Sequence, residues 1–131
     1  MTVAVTTLRS TLASALESAG EWSVFSFPPA TPIANSVIVQ PDDPYLEPSN
    51  NVYSSVGPKA NFKIVMIVPM FDNQGNLQGI ENMITSVFNK LAAQNSIKLS
   101  VGNISAPTVL SAVAGEMLTS EMSVSIMTSW S

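Results

Sequence analysis

Residues 61–71, NFKIVMIVPMF, constrain the fold of this 131-residue chain more than any other stretch. Phe62, Ile64, Met66 and Val68 alternate with Lys63, Val65 and Ile67, so the run has the period of a strand. Near its middle both faces are apolar. A strand with one solvated face would show polar residues at every second position, so this one must lie centrally or be covered on both sides. A polar turn follows. Then Leu77, Ile80, Ile84, Val87, Phe88 and Leu91 recur at three- and four-residue steps, with Asn82, Ser86, Asn89 and Lys90 opposite. That spacing predicts an amphipathic helix from about 73–77 to 93, able to cover one face of the strand.

The other elements follow from the same periodicities. Val5, Leu8, Leu12, Leu16 and Ala19 predict a first helix over about 6–19, capped by Thr6 or Thr7 and ended by Gly20. In EWSVFSF, Trp22, Val24 and Ser26 face one way and Phe25 and Phe27 the other, which reads as a short strand. The prolines of PPATP break it. NSVIVQ is a second compact strand, closed by Pro41. SIKLSVG is another, with Ile97, Leu99 and Val101 on one face, and NISAPTVLSAVAGE reads as a connection. The last strand places Leu118, Met122, Val124, Ile126 and Trp130 on one face. Ser123, Ser125 and Ser129 line the other, which suits solvent or a polar lumen. Strands and helices do not alternate regularly. The expected fold is therefore a single α+β domain over 1–131: an antiparallel or mixed sheet of four to five strands, two helices packed on one face, and a long loop or hairpin arm.

The arm is PDDPYLEPSNNVYSSVGPKA, residues 41–60, far longer than the usual connection of about 4–6 residues. It is acidic through Asp42, Asp43 and Glu47, and Tyr45, Leu46 and Tyr53 give it apolar groups that could dock. These six residues are the candidate interface with a neighbouring subunit or partner. The alternative is a loop folded over its own domain.

Chemical motifs are scarce. The chain has neither histidine nor cysteine. This removes disulfides, thiolate nucleophiles, Cys/His zinc sites and the Ser-His-Asp triad. The loop DNQGN at 72–76 fails as an EF-hand, with Leu77 at the sixth position and Met83 at the twelfth. It also lacks the lysine of a phosphate-binding loop. Asp72 or Asn76 is better read as a helix cap. Asp42 and Asp43 are adjacent in a loop rather than held apart on rigid elements, so they do not form a catalytic carboxylate pair. The methionines sit at apolar positions and read as core. Trp22 and Trp130 suit core or subunit packing. The residues thus assign no catalytic, cofactor or metal site, and the expectation is a protein that is not an enzyme.

Charge bears on partners. Only 11% of residues are charged, against about 25% in typical domains. Either part of the surface is buried against other subunits, or the abundant Ser, Thr and Asn solvate it. The net charge is −4 and the five basic residues are scattered, so no stripe exists to neutralise nucleic-acid phosphates. The N-terminal residues do not read as a signal peptide, and no run reaches the roughly 18 apolar residues of a membrane span. A soluble protein made in the cytoplasm is expected.

Taken in order, the helix, VFSFPPATPIANSVIVQP, a long variable loop, NFKIVMIVPMF, the helix LQGIENMITSVFNKLA, IKLSVG and the final EMSVSIMTSW resemble the tail terminator (tail completion, head–tail joining) proteins of long-tailed bacteriophages. VFSFPPATP is similar to that family's aromatic-then-proline segment after the first helix, and the last strand to its closing strand of small alternating residues. The resemblance spans nearly the whole chain and is weakest over 41–60. It implies a structural virion protein that assembles as a ring of itself, typically a hexamer, on the last ring of tail tube protein. There it stops tube polymerisation and offers a joining surface to the head–tail connector protein. Double-stranded DNA would pass through the lumen without specific binding. The place implied is the head-proximal end of the tail, with assembly in the host cytoplasm and no membrane or cofactor. Another head–tail joining or tail tube protein, or a small ligand-binding domain near Asp72, are the alternatives.

Overall fold

The structure is a computed structural model and describes residues 5–17, 22–26, 35–48, 58–69, 77–94, 99–112 and 115–128. Its elements in chain order are α1 (Val5–Ala15), β1 (Ser23–Phe25), β2 (Ser36–Pro48), β3 (Pro58–Pro69), α2 (Leu77–Ala93), β4 (Leu99–Ile104), β5 (Thr108–Ala112) and β6 (Gly115–Met127). The strands form one sheet in the order β1-β2-β3-β6-β4, with β5 also paired to β6. β1 runs parallel to β2 and every other pair is antiparallel. The sheet is therefore mixed, and both helices pack against it.

The two-sided apolar run takes the central place its pattern demands. β3 pairs with β2 on one side and with β6 on the other, in unbroken register with β6 from Lys59↔Met127 to Pro69↔Met117. Phe62, Ile64 and Met66 are fully buried on the helix side, with Val37 and Val39 of β2 and Met122, Val124 and Ile126 of β6. Above them lie Leu8, Leu12 and Leu16 of the first helical segment and Ile80, Met83, Val87 and Leu91 of α2. The heptad-like spacing of these residues gives each helix one apolar stripe, and the stripe is what the sheet covers. On the other face Ile38, Ile67 and Met117 form a smaller buried cluster joined by Phe25 and Val65. Phe25 and Val24 thus part to opposite faces, as the alternation of β1 requires.

α1 ends at Ala15, short of the expected 19. The Leu16 and Glu17 N–H groups donate to Ala13 and Ser14 carbonyls at 3.1 and 3.3 Å, a tightened last turn. The buried Trp22 indole N–H then donates to the Leu16 carbonyl at 2.8 Å. It satisfies an acceptor that the helix leaves unpaired and ties α1 to β1. Gly20, read as the helix stop, lies outside the described residues.

Three expectations need correction. β2 does not close at Pro41 but continues to Pro48, so residues 41–48 and 58–60 are paired strands, the hairpin form of the expected arm. The stretch read as a connection after β4 contains β5, which makes six strands rather than four to five. β4 also runs on to Ile104. The first of these has a clear physical basis. Among the described residues β1 alone lies along this side of β2 and covers only Ser36–Ile38, which leaves the rest of β2 as an edge there, where proline is tolerated. A register shift between Pro41 and Leu46 also removes Pro44 from the ladder.

Phe62 is fully buried and meets Tyr45 edge to face, with centroids 5.6 Å apart. Phe62→Ala is expected to cost about 3–5 kcal/mol, read from chemical denaturation. Lys63→Ala, on the opposite face with a part-exposed ion pair, should cost less than about 1 kcal/mol.

Candidate assembly surface

The face of the sheet away from the helices is built by every second residue of β2, β3 and β6. Register places Glu47, Lys59 and Met127 in one row, Asn61, Ser125 and Ser100 in the next, then Gln40, Lys63 and Ser123, then Ile38, Val65 and Glu121. The face grades from polar at the β2–β3 hairpin end to apolar near Ile38 and Ile67. Its charges are paired: Lys59 Nζ lies 3.4 Å from Glu47 Oε2, and Lys63 Nζ 3.6 Å from Glu121 Oε2. Both pairs are part-exposed, so they add little stability. Their consequence is electrostatic, since each lysine meets a carboxylate and the face carries no net positive field.

Asn61 organises the hairpin end. Its amide N–H groups donate to the Glu47 carboxylate and, at 3.0 Å, to the Pro44 carbonyl in the bulge, while its oxygen accepts from Ser125 Oγ at 2.8 Å. One side chain thus joins β2, β3 and β6 where the backbone ladder between β2 and β3 is interrupted. The Asn61 hydrogen bond is the main reason the Glu47 carboxyl is held below its ordinary value. Lys59 adds to the effect and desolvation opposes it.

Five of the six candidate interface residues are described. Tyr45 and Leu46 are half-buried against the core of their own chain, Tyr45 on the ring of Phe62. Glu47 is engaged by Lys59 and Asn61. Asp42 accepts from the Asp43 N–H at 2.8 Å, which fixes the bulge, and Asp43 is exposed beside a cis bond to Pro44. Tyr53 lies outside the described residues, as do Asp72 and Asn76. Asn61, Lys59, Lys63 and Glu121 are not among the residues the sequence singles out as a site. Their signal was the polar phase of β3 set against the serine phase of β6, which becomes legible only once the register is known.

Among the described residues, two shallow grooves flank the sheet. One is lined by Lys59, Leu99, Ser100, Ser125 and Met127. The other lies between α2 and the start of β2, lined in part by Trp22, Asn35, Asn82 and Ser86. Neither brings an acid and a base together. Among the described residues no cluster of three or more metal-binding side chains is present, and no helix is long and apolar enough to cross a membrane. No protein-family model matches the chain, and no curated protein matches it.

Because Glu47 is held low, its charged form favours the fold above the ordinary carboxylate range. That contribution fades as pH falls through the lowered midpoint. An NMR titration should place the Glu47 carboxyl below 4.5 and move it upward in Asn61→Ala. An unmoved midpoint would remove Asn61 from this role.

Proposed function

We propose that this protein is a structural virion component of the tail terminator type. In that role copies form a ring on the end of a tail tube, stop its growth and present a surface to the head connector. The observation that carries the proposal is the layering: two helices on one face of a mixed sheet, with the other face grading from rows of paired polar side chains to an apolar cluster. This layering is built on the same strand-then-helix unit, β3 and α2, on which the sequence resemblance depends. The paired lysines suit a wall past which double-stranded DNA moves without being held, because free cations are what retain a polyanion. The low charge content suits a chain whose surface is largely covered by neighbours. Catalysis, a cofactor and a membrane have no part in this role.

A tail tube protein is the second reading. One finding favours it: β5 and the continuation of β2 make the chain richer in strands than its sequence suggests. The two roles separate in one experiment. Purified protein mixed with its tube subunit and imaged by negative stain should cap tube ends and shorten the tubes. Tubes that grow unchanged in its presence would contradict the terminator role, and tubes formed by this protein alone would establish the second.

A further inference from the structure

The helix layer stops short of one side of the sheet. Strands lie about 4.8 Å apart and packed helices about 8–10 Å, so one helix roofs about two strands. α1 packs on β1 and β2, and α2 on β3 and β6. β4 and β5, which follow one another along β6, fall outside both pairs. On the helix side they present Ile104, opposite Met122, and Val109, opposite Leu118. These two side chains are 39% and 54% exposed.

α2 forms one wall of this strip. Gly79, Met83 and Ser86 line the groove with Trp22, so the opposite flank of α2, with Ile84 and Phe88, faces β4 and β5. Phe88 is 44% exposed. Hydrogen bonds pin the floor where β4 gives way to β5. The Ser105 backbone N–H donates to the Glu121 carbonyl at 2.8 Å, and the Glu121 N–H donates to Ser105 Oγ at 2.9 Å. Ser120 Oγ donates to the Ser105 carbonyl at 2.7 Å.

The rim of the strip is acidic. Glu81 shares the Ile84 and Phe88 flank of α2, and Glu116 stands on the helix side, two residues before Leu118. Both are exposed, and among the described residues neither carboxylate has an ion-pair partner. The described bases lie elsewhere. Lys59 and Lys63 are on the reverse face, Arg9 is on α1, and Lys90 follows Ser86 by one turn on the groove side of α2.

We infer that this strip receives a basic amphipathic helix of a partner protein, laid beside α2. Its apolar stripe would cover Phe88, Ile104 and Val109, and its lysines or arginines would face Glu81 and Glu116. A helix fits because the vacant width is that of one more helix in the layer, with α2 as the wall it packs on. A basic one fits because the rim carries two unpaired carboxylates and the chain a net charge of −4. A second copy is a poor occupant, since α1 and α2 each spend their apolar stripe on their own sheet. The contact rests on the strip alone and not on the terminator role.

The probe is a synthetic peptide of the length of α2, 17 residues, with leucines at three- and four-residue steps and lysines opposite. A control peptide carries glutamates in place of the lysines. Binding is followed by amide chemical shifts, with circular dichroism to check the fold of each variant. The lysine peptide should become helical, shift Ile84, Phe88, Ile104 and Val109, and bind more tightly than the glutamate peptide by a margin that shrinks with salt. Phe88→Ala and Val109→Ser, which leave the charge unchanged, should each weaken it by about tenfold. Glu81→Gln should weaken it by a smaller factor, and only at low salt. The inference fails if the lysine peptide does not bind at millimolar concentration, or if both peptides bind equally. It fails too if the shifts fall elsewhere, if the peptide binds without becoming helical, or if folded Val109→Ser binds like wild type. A second copy found seated on Phe88 and Val109 in the pure protein would likewise overturn it.

Discussion

β3 hydrogen-bonds to β2 along one side and to β6 along the other, so neither of its edges meets solvent. A strand so enclosed can bury side chains on both faces, and this one does. Phe62, Ile64 and Met66 are fully buried under the helices, and Ile67 is buried on the reverse face. Each other element has a place relative to it. β2 and β6 extend its ladder, α2 covers it and β6, and α1 closes over β1 and β2. With unbroken register along β6, a one-residue slip would turn Lys63 into the core and Phe62 out of it.

The reverse face shows how the fold accommodates its own irregularity. Pro41, Pro44 and Pro48 cannot donate to a ladder, and β2 meets this with a bulge. Asn61 then bridges the gap with side-chain bonds to Pro44, Glu47 and Ser125. A local loss of backbone pairing becomes a polar cluster at one end of the sheet. The same cluster keeps Lys59 and Glu47 paired.

Much of the fold was legible in the sequence. The central strand and both helices follow from periods of two and three to four, because burial itself imposes those periods. Register was not legible. The prolines of 41–48 read as breakers because their cost depends on whether the strand is an edge, which only the pairing of β1 with three residues of β2 decides. β5 escaped notice because the two residues separating it from β6, Val113 and Ala114, are not the Asn-Gly type that marks a tight hairpin. The candidate surface was half legible. Ser123 and Ser125 pointed to a polar face, but Asn61, Lys59 and Lys63 join it only through partners distant in sequence. Tyr45 and Leu46 looked free to dock because nothing in the sequence shows that both pack on the core of their own chain, Tyr45 on the ring of Phe62.

The sheet is anchored on one doubly paired strand, sheathed by helices on one side and graded from polar to apolar on the other. On this account β3 is the last element to open. Site-resolved amide hydrogen exchange measures this directly. The amides of Ile64, Val65 and Met66 should exchange only through global unfolding, with an exchange free energy equal to that from denaturation. If they exchanged faster than the amides of α1, β3 would not be the element on which the fold depends.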